Sequence, residues 1–331
     1  MTEVRMEAGL VFSAADLAQT RFAVSPMWEV VTSFRQLLRG ANSHPLHRRW
    51  IDQVRPRFQR AGLDRGQLAA LIPAHGYLAD FLNPTPTAPF IALSTELDAI
   101  RRTPADRIAH DLAVLQRDHG IRAAPSGVDL DRLCDEIGTY WELALAPYWA
   151  RIRTLLEADV FHRARQVAEH GSARVLGELH ETVRWDDDTL RLVWHACGLT
   201  RDRAGSGLLL IPSAFAWPKV LTRSVTPDPP QLAYPARGIG NLWEPRTTTA
   251  ATDAVAAVLG RSRTLLLTEL DTPASTTRLA AVFGLSAPAV SQHLIALRNA
   301  GLVTAHRSGR SVLYARTAVA DALLCPAKEP V

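Results

Sequence analysis

The chain has 331 residues, 47% hydrophobic and 21% charged, with a net charge of +4. This ordinary globular composition excludes a wholly disordered chain, and the length suits two domains better than one. Three cysteines, Cys134, Cys197 and Cys325, form no CxxC pair, which argues against a disulfide framework, a zinc ribbon or an iron–sulfur site and fits a reducing cytosol. No apolar run approaches the roughly 18–20 residues that span a bilayer. The first seven residues lack the cationic start and apolar stretch of a secretory signal. A cytoplasmic protein with no membrane partner is expected.

In chain order, residues 4–12 suit a strand and Ser13 to Asp16 a helix start. Ser25-Pro26 is a stronger start, with Ser as N-cap and Pro in the first turn. The helix it opens carries Trp28, Val31, Phe34 and Leu38 at near-helical spacing, and Gly40 ends it. Further helical patterns cover 46–60, 65–72, 94–100, 104–118, 129–146 and 147–170, with a proline-rich loop at 83–89. Beyond about residue 179 the period changes. Runs 182–185 and 189–194 flank Asp186-Asp187-Asp188 and suit a hairpin with an acidic turn. Residues 207–211, ahead of Pro212, suit a buried strand, and 231–234 another. Residues 1–245 therefore form a helix-rich α+β domain with a small antiparallel sheet. A polar, proline-punctuated stretch, 243–252, marks the boundary to a second domain, 246–331.

Charge is uneven across that boundary. Residues 246–331 hold nine Lys/Arg against five Asp/Glu, while 1–245 are balanced. Between Arg261 and Arg316, seven arginines face Glu269 and Asp271. Such a basic block suits a polyanionic partner.

The pattern inside the block is more specific. Helical runs 254–259 and 261–270 are interrupted at Gly260. A short helix, 277–283, starts at Ser275 or Thr276 and closes at Gly284. Ser286 then caps a second helix that tolerates Pro288 in its first turn. Val290, Leu294 and Leu297 share one face of it. Pro288, Gln292, Ile295 and Asn299 lie opposite, with Ser291 on the flank and His293 near the buried edge. Two short helices joined by Gly-Leu-Ser describe a helix-turn-helix. Two β-rich runs follow, 302–306 and 311–316, joined by Arg307-Ser-Gly-Arg310, an arginine-tipped hairpin suited to flanking phosphates or a narrow minor groove. A closing helix is expected at 318–324.

These stretches carry a family resemblance. Thr277-Arg-Leu-Ala-Ala-Val-Phe-Gly-Leu-Ser286, Ala289-Val-Ser-Gln-His-Leu-Ile-Ala-Leu-Arg298, Asn299-Ala-Gly-Leu-Val303 and Arg307-Ser-Gly-Arg-Ser-Val-Leu-Tyr314 resemble the winged helix-turn-helix of ArsR-type bacterial transcriptional regulators. The likeness covers about a fifth of the chain. The remainder is similar to the uncharacterised N-terminal region of long regulators of that family, through Arg21-Phe-Ala-Val-Ser-Pro-Met-Trp28. The resemblance implies a homodimer on a roughly palindromic operator, usually a repressor released by an effector, with the flanking helices building the dimer interface. The family's thiolate metal sensors carry Cys-x-Cys where this chain has Thr276, Thr277 and Arg278. Its second metal site, on the last helix, is matched here by Asp321 alone. Classical metal sensing is therefore not expected.

Other features have plainer readings. His44-Pro-Leu-His47 has metal-like spacing but no third ligand nearby in sequence, so a polar loop is preferred. Asp186 to Asp188 suits an acidic turn better than a cation site. Gly238-Ile-Gly240 lacks the third glycine of a dinucleotide loop. Trp28, Trp50, Trp141, Trp149, Trp185, Trp194 and Trp217 suit core filling first and an aromatic ligand pocket second. No GxSxG, GxxxxGK[ST] or HExxH motif occurs.

The expectation is thus a mostly helical α+β protein, not an enzyme, with no catalytic residue, metal or cofactor. A recognition helix, 286–299, enters the major groove and a wing, 302–316, reaches flanking phosphates. The DNA-binding residues are Ser286, Pro288, Ser291, Gln292, His293, Arg307 and Arg310. Partners are double-stranded DNA, a second copy and a small-molecule effector in the N-terminal domain. The alternative is an enzyme or effector-binding protein that uses the winged helix for docking.

Overall fold

The computed structural model describes residues 7–119, 127–193, 206–217, 219–243, 249–271, 273–308 and 311–324. Trp194, Cys197, Arg310 and Cys325 lie outside these residues. The fold is α+β and mostly helical. The strands are β1 (Glu7–Val11), β2 (Arg21–Phe22), β3 (Val183–Asp186), β4 (Thr189–Val193), β5 (Leu209–Ser213), β6 (Leu221–Arg223), β7 (Gln231–Pro235), β8 (Ala274–Ser275), β9 (Val303–Ser308) and β10 (Ser311–Arg316). The helices begin with α1 (Ala14–Gln19), α2 (Pro26–Leu38), α3 (Arg48–Arg60), α4 (Gln67–Leu71), α5 (Leu93–Arg101), α6 (Ala105–His119) and α7 (Leu130–Tyr140). They continue with α8 (Trp149–His170), α9 (Ser172–Gly177), α10 (Thr249–Leu259), α11 (Arg261–Glu269), α12 (Thr276–Phe283), α13 (Ala287–Asn299) and α14 (Ala318–Leu324).

Two compact units result. The first comprises Met1–Ile51, Leu63–Ile137 and Leu155–Ile239; the second comprises Asp52–Gly62, Gly138–Thr154 and Gly240–Val331.

In the first unit, Ser13 starts α1 with a capping box: its hydroxyl accepts from Asp16 N, and the Asp16 carboxylate accepts from Ser13 N at 2.8 Å. The β3–β4 hairpin turns through Asp187 and Asp188, with φ of 44° and 54°. Aspartate tolerates this left-handed region, and such a turn matches the strand twist. The sheet gains a third strand, in the order β1-β4-β3, entirely antiparallel.

A second sheet is mixed, in the order β2-β5-β7-β6, with β5 parallel to both β2 and β7. The expected strand end at Pro212 is not a strand end: β5 runs to Ser213. The carbonyls of Leu208, just before β5, and Leu210 accept from Arg21 and Ala23, both at 3.0 Å. The next donor on that side falls to Pro212, which has no N–H. Pairing with β2 therefore stops after two residues, while β5 continues beside β7. Leu10, Leu176, Leu190, Leu192, Leu210 and Leu232 are part of the core beside these strands.

Helix α2 departs from the expected one-sided pattern. Every residue from Pro26 to Leu37 is buried. Its polar groups are satisfied in place. Glu29 accepts from Ala214 N at 3.1 Å, Thr32 Oγ1 lies 3.1 Å from Ser213 Oγ, and Gln36 Nε2 donates to the Phe215 carbonyl at 3.1 Å. Arg35 donates to the carbonyls of Pro73, Gly76 and Tyr77. Trp28 Nε1 donates to Gln231 Oε1 at 2.8 Å. The N-cap Ser25 also donates to Glu96, at 2.5 Å, and Glu96 accepts from Met27 N. Burial pushes the carboxyls of Glu29 and Glu96 each up to about 8, against the hydrogen bonds they accept.

In the second unit, Gly260 (φ 84°) breaks α10 from α11. The expected helix over 129–146 stops at Tyr140 and passes into a π-turn, Trp141–Leu145, and a 3-10 turn, Ala146–Tyr148. Pro147, which cannot donate to a preceding turn, sits there. Tyr148 Oη lies 2.7 Å from Gln53 Oε1, and its ring meets Trp243 edge-on at 5.5 Å.

Candidate nucleic-acid interface

The second helix pair is assembled by three local signals. Ser275 caps α12, its hydroxyl accepting from Arg278 N. Gly284 closes α12 in the left-handed region (φ 63°), and Leu285 N returns to the Ala280 carbonyl at 3.1 Å. That pair of features is a glycine C-cap that reverses the chain within two residues. Ser286 then caps α13 by accepting from Ala289 N at 3.3 Å. The axes of α12 and α13 differ by 115°, within the range of DNA-binding helix pairs.

Packing fixes which face of α13 is presented. Val290, Leu294 and Leu297 are buried with Leu266, Leu279 and Leu302 in one apolar cluster. Burying three such side chains is worth about 1.5–3 kcal/mol each and locks the helix rotation. Ser286, Pro288, Gln292, Ile295 and Asn299 are exposed; Ser291 and His293 are half-buried. The outward face carries no carboxylate. Gln292 is free to present its amide fork. The Ser286 hydroxyl accepts from backbone yet keeps its proton for an external acceptor.

A three-stranded sheet in the order β8-β10-β9 follows. The ladder between β9 and β10 extends to Ser308 and Ser311, beyond the four-residue turn expected at 307–310. Arg307 therefore lies on β9, exposed and opposite Val312. Arg310 is outside the described residues.

One arginine of the basic block is not available to a partner. Arg316 is buried, bonded to Asp271 at 2.6 Å and to Asp321 at 2.9 Å. Asp271 also takes Arg151 at 3.2 Å. Although it belongs to the basic block in sequence, Arg316 is neutralised within the unit. Arg151, more than a hundred residues upstream, had no spacing signal that tied it to this region.

The alternative sites resolve differently. His44 and His47 rings lie 5.9 Å apart, but His47 is buried against Phe215 and its imidazole is pushed down to about 3, mainly by burial. Among the described residues no group of three His, Cys, Asp or Glu side chains is placed to hold a metal. Cys134 is buried, its thiol 3.7 Å from the Leu97 carbonyl. No single helix among the described residues is long and apolar enough to cross a membrane.

Residues 265–305, which contain α12, α13 and most of the apolar cluster that packs them, match the family described as bacterial regulatory protein, arsR family. These residues of the second unit form an ArsR-family helix-turn-helix. That makes the chain a DNA-binding transcription regulator in kind. Ahead of the ArsR-type module, residues 142–240 match a family of unknown function, DUF5937. No curated protein and no solved structure matches the chain.

Proposed function

We propose that the ArsR-type protein is a cytoplasmic, homodimeric repressor. In this reading α13 enters the major groove, and Gln292 reads base edges with help from Ser286, Pro288, Ser291 and His293. Arg307 and Arg310 hold flanking phosphates or a narrow minor groove. The observation that carries it is the outward face of α13, acid-free and exposed, held by an apolar opposite face at 115° to α12. A glutamine fork fits adenine bidentately, and guanidinium groups neutralise phosphate without reading sequence.

Dimerisation is supported by apolar side chains left in solvent on the helices flanking the module. Val258 is 83% exposed, Val319 59% and Leu323 44%. Exposed apolar side chains grouped on neighbouring elements favour a protein interface. A two-fold dimer then requires half-sites about one helical turn apart, or a multiple of it. The first unit, which holds residues 155–239 of the stretch matched to a family of unknown function, is the natural seat of an effector.

Filter or gel retention across a salt series tests the division of labour. Arg310→Ala and Arg307→Ala should weaken binding to every duplex and lower the salt slope by about one each. Gln292→Ala should change base preference at a cost of about 1–3 kcal/mol on the best site. Equal losses for all three variants on selected and random DNA would refute the assignment.

A further inference from the structure

The second unit holds a cleft that the DNA-binding reading does not use. Its volume is about 550 Å³, and it is lined by Arg57, Arg60, Gly138, Glu142, Leu143 and Arg307, among others. These residues come from three separated parts of the chain, all within the one unit. Arg57 and Arg60 are one turn apart on α3. Their Nε atoms donate to the Gln53 and Pro56 carbonyls at 3.0 and 3.1 Å, which orients both guanidinium forks. Arg57 Nη1 is buried and has no hydrogen-bond partner among the described residues. A buried charged donor left in this way is costly and needs an acceptor. Three guanidinium groups meet one carboxylate, and Glu142 is itself 3.4 Å from His306 Nδ1. The wall also offers the apolar Leu143.

We propose that this cleft binds a small organic anion, a phosphate or carboxylate group on a compact apolar body. The volume lies within the range of small-molecule sites, and guanidinium forks match both acid groups bidentately. A concave site with an apolar wall suits a free molecule better than the convex backbone of a duplex. Because Arg307 lines the cleft and also belongs to the proposed wing contact, the bound anion competes with DNA for it. Only this competition rests on the DNA-binding reading; the anion site does not.

Calorimetry of the full chain with inorganic phosphate and with phenyl phosphate tests the site. Saturable binding is expected, tighter for phenyl phosphate. Arg57→Gln and Arg60→Gln should each weaken it about ten- to hundredfold, the loss expected for a charge-assisted bond. Gly138→Leu keeps every arginine and fills space from the wall, since a Cβ there meets nothing within 4 Å; it should abolish binding. Arg57→Gln and Gly138→Leu should leave random-duplex retention within about twofold, because both keep Arg307 and neither removes a side chain assigned to the duplex. Phenyl phosphate should loosen DNA from the wild type and not from Arg57→Gln. No saturation with either probe up to about 10 mM, or unchanged binding in Gly138→Leu and Arg57→Gln with matched circular dichroism, would overturn the proposal. So would DNA losses in Arg57→Gln and Arg60→Gln as large as in Arg307→Gln, which would assign the cleft to duplex phosphate. Anion binding in a chain that retains no DNA would uphold the cleft and refute the regulator reading instead.

Discussion

Helices α2 and α13 begin almost identically and end in opposite circumstances. Each has thirteen residues, a serine N-cap whose hydroxyl accepts from the backbone, and a proline in the first turn. Helix α2 is buried on every side from Pro26 to Leu37, while α13 buries Val290, Leu294 and Leu297 and leaves its other face to solvent. The difference lies in what surrounds them. The carboxyl of Glu29, the hydroxyl of Thr32 and the guanidinium of Arg35 each find fixed partners in neighbouring backbone or side chains. A buried polar group without such a partner would cost several kcal/mol. Gln292 has no such enclosure, which leaves its amide to an external partner. Identical punctuation thus specifies where a helix starts and says nothing about how many of its faces will be covered.

Substitutions can test that contrast, and the largest effect belongs to α2. Trp28→Ala should cost about 3–5 kcal/mol, from a cavity plus the stranded Gln231 amide. Denaturant titration reads this directly, and a loss under about 1 kcal/mol would mean α2 is not enclosed as described. On the inner face of α13, Leu294→Ala should cost about 2–4 kcal/mol by the same measurement. The two helices would then share the penalty of a core cavity while differing in how many positions show it.

Titration separates them further. Burial holds the folded carboxyls of Glu29 and Glu96 at about 8, above their ordinary 4.5. The folded state therefore holds more protons between those limits, and stability should fall as pH rises from about 5 to 8. Each carboxyl contributes a slope of up to about 1.4 kcal/mol per pH unit. Glu29→Gln should remove about half of that combined slope; an unchanged slope in denaturant series at pH 5 and 8 would show that Glu29 is not protonated in the fold. The smallest effect is on the outer face of α13. Gln292→Ala should alter stability by no more than about 0.5 kcal/mol while changing DNA preference. A large stability loss there would place Gln292 in a structural role.

Local chemistry determined much of this protein. Ser13, Ser25, Ser275 and Ser286 marked their helix starts because a hydroxyl beside unpaired N–H groups is a short-range effect. Gly284 marked the reversal because few other residues enter the left-handed region without cost. The buried triad of α13 was legible from its 3.6-residue period, and so was the exposure of Gln292 opposite. Tertiary structure alone decided the rest. Pro212 set the limit of β2 pairing, Asp271 and Asp321 removed Arg316 from the basic field, and Arg57 and Arg60 joined the unit that contains Arg307. Apart from the Arg316–Asp321 pair, those outcomes depend on pairings between residues tens to hundreds of positions apart. Neither side-chain period nor capping grammar carries information over that distance, because both act within a few residues along one element.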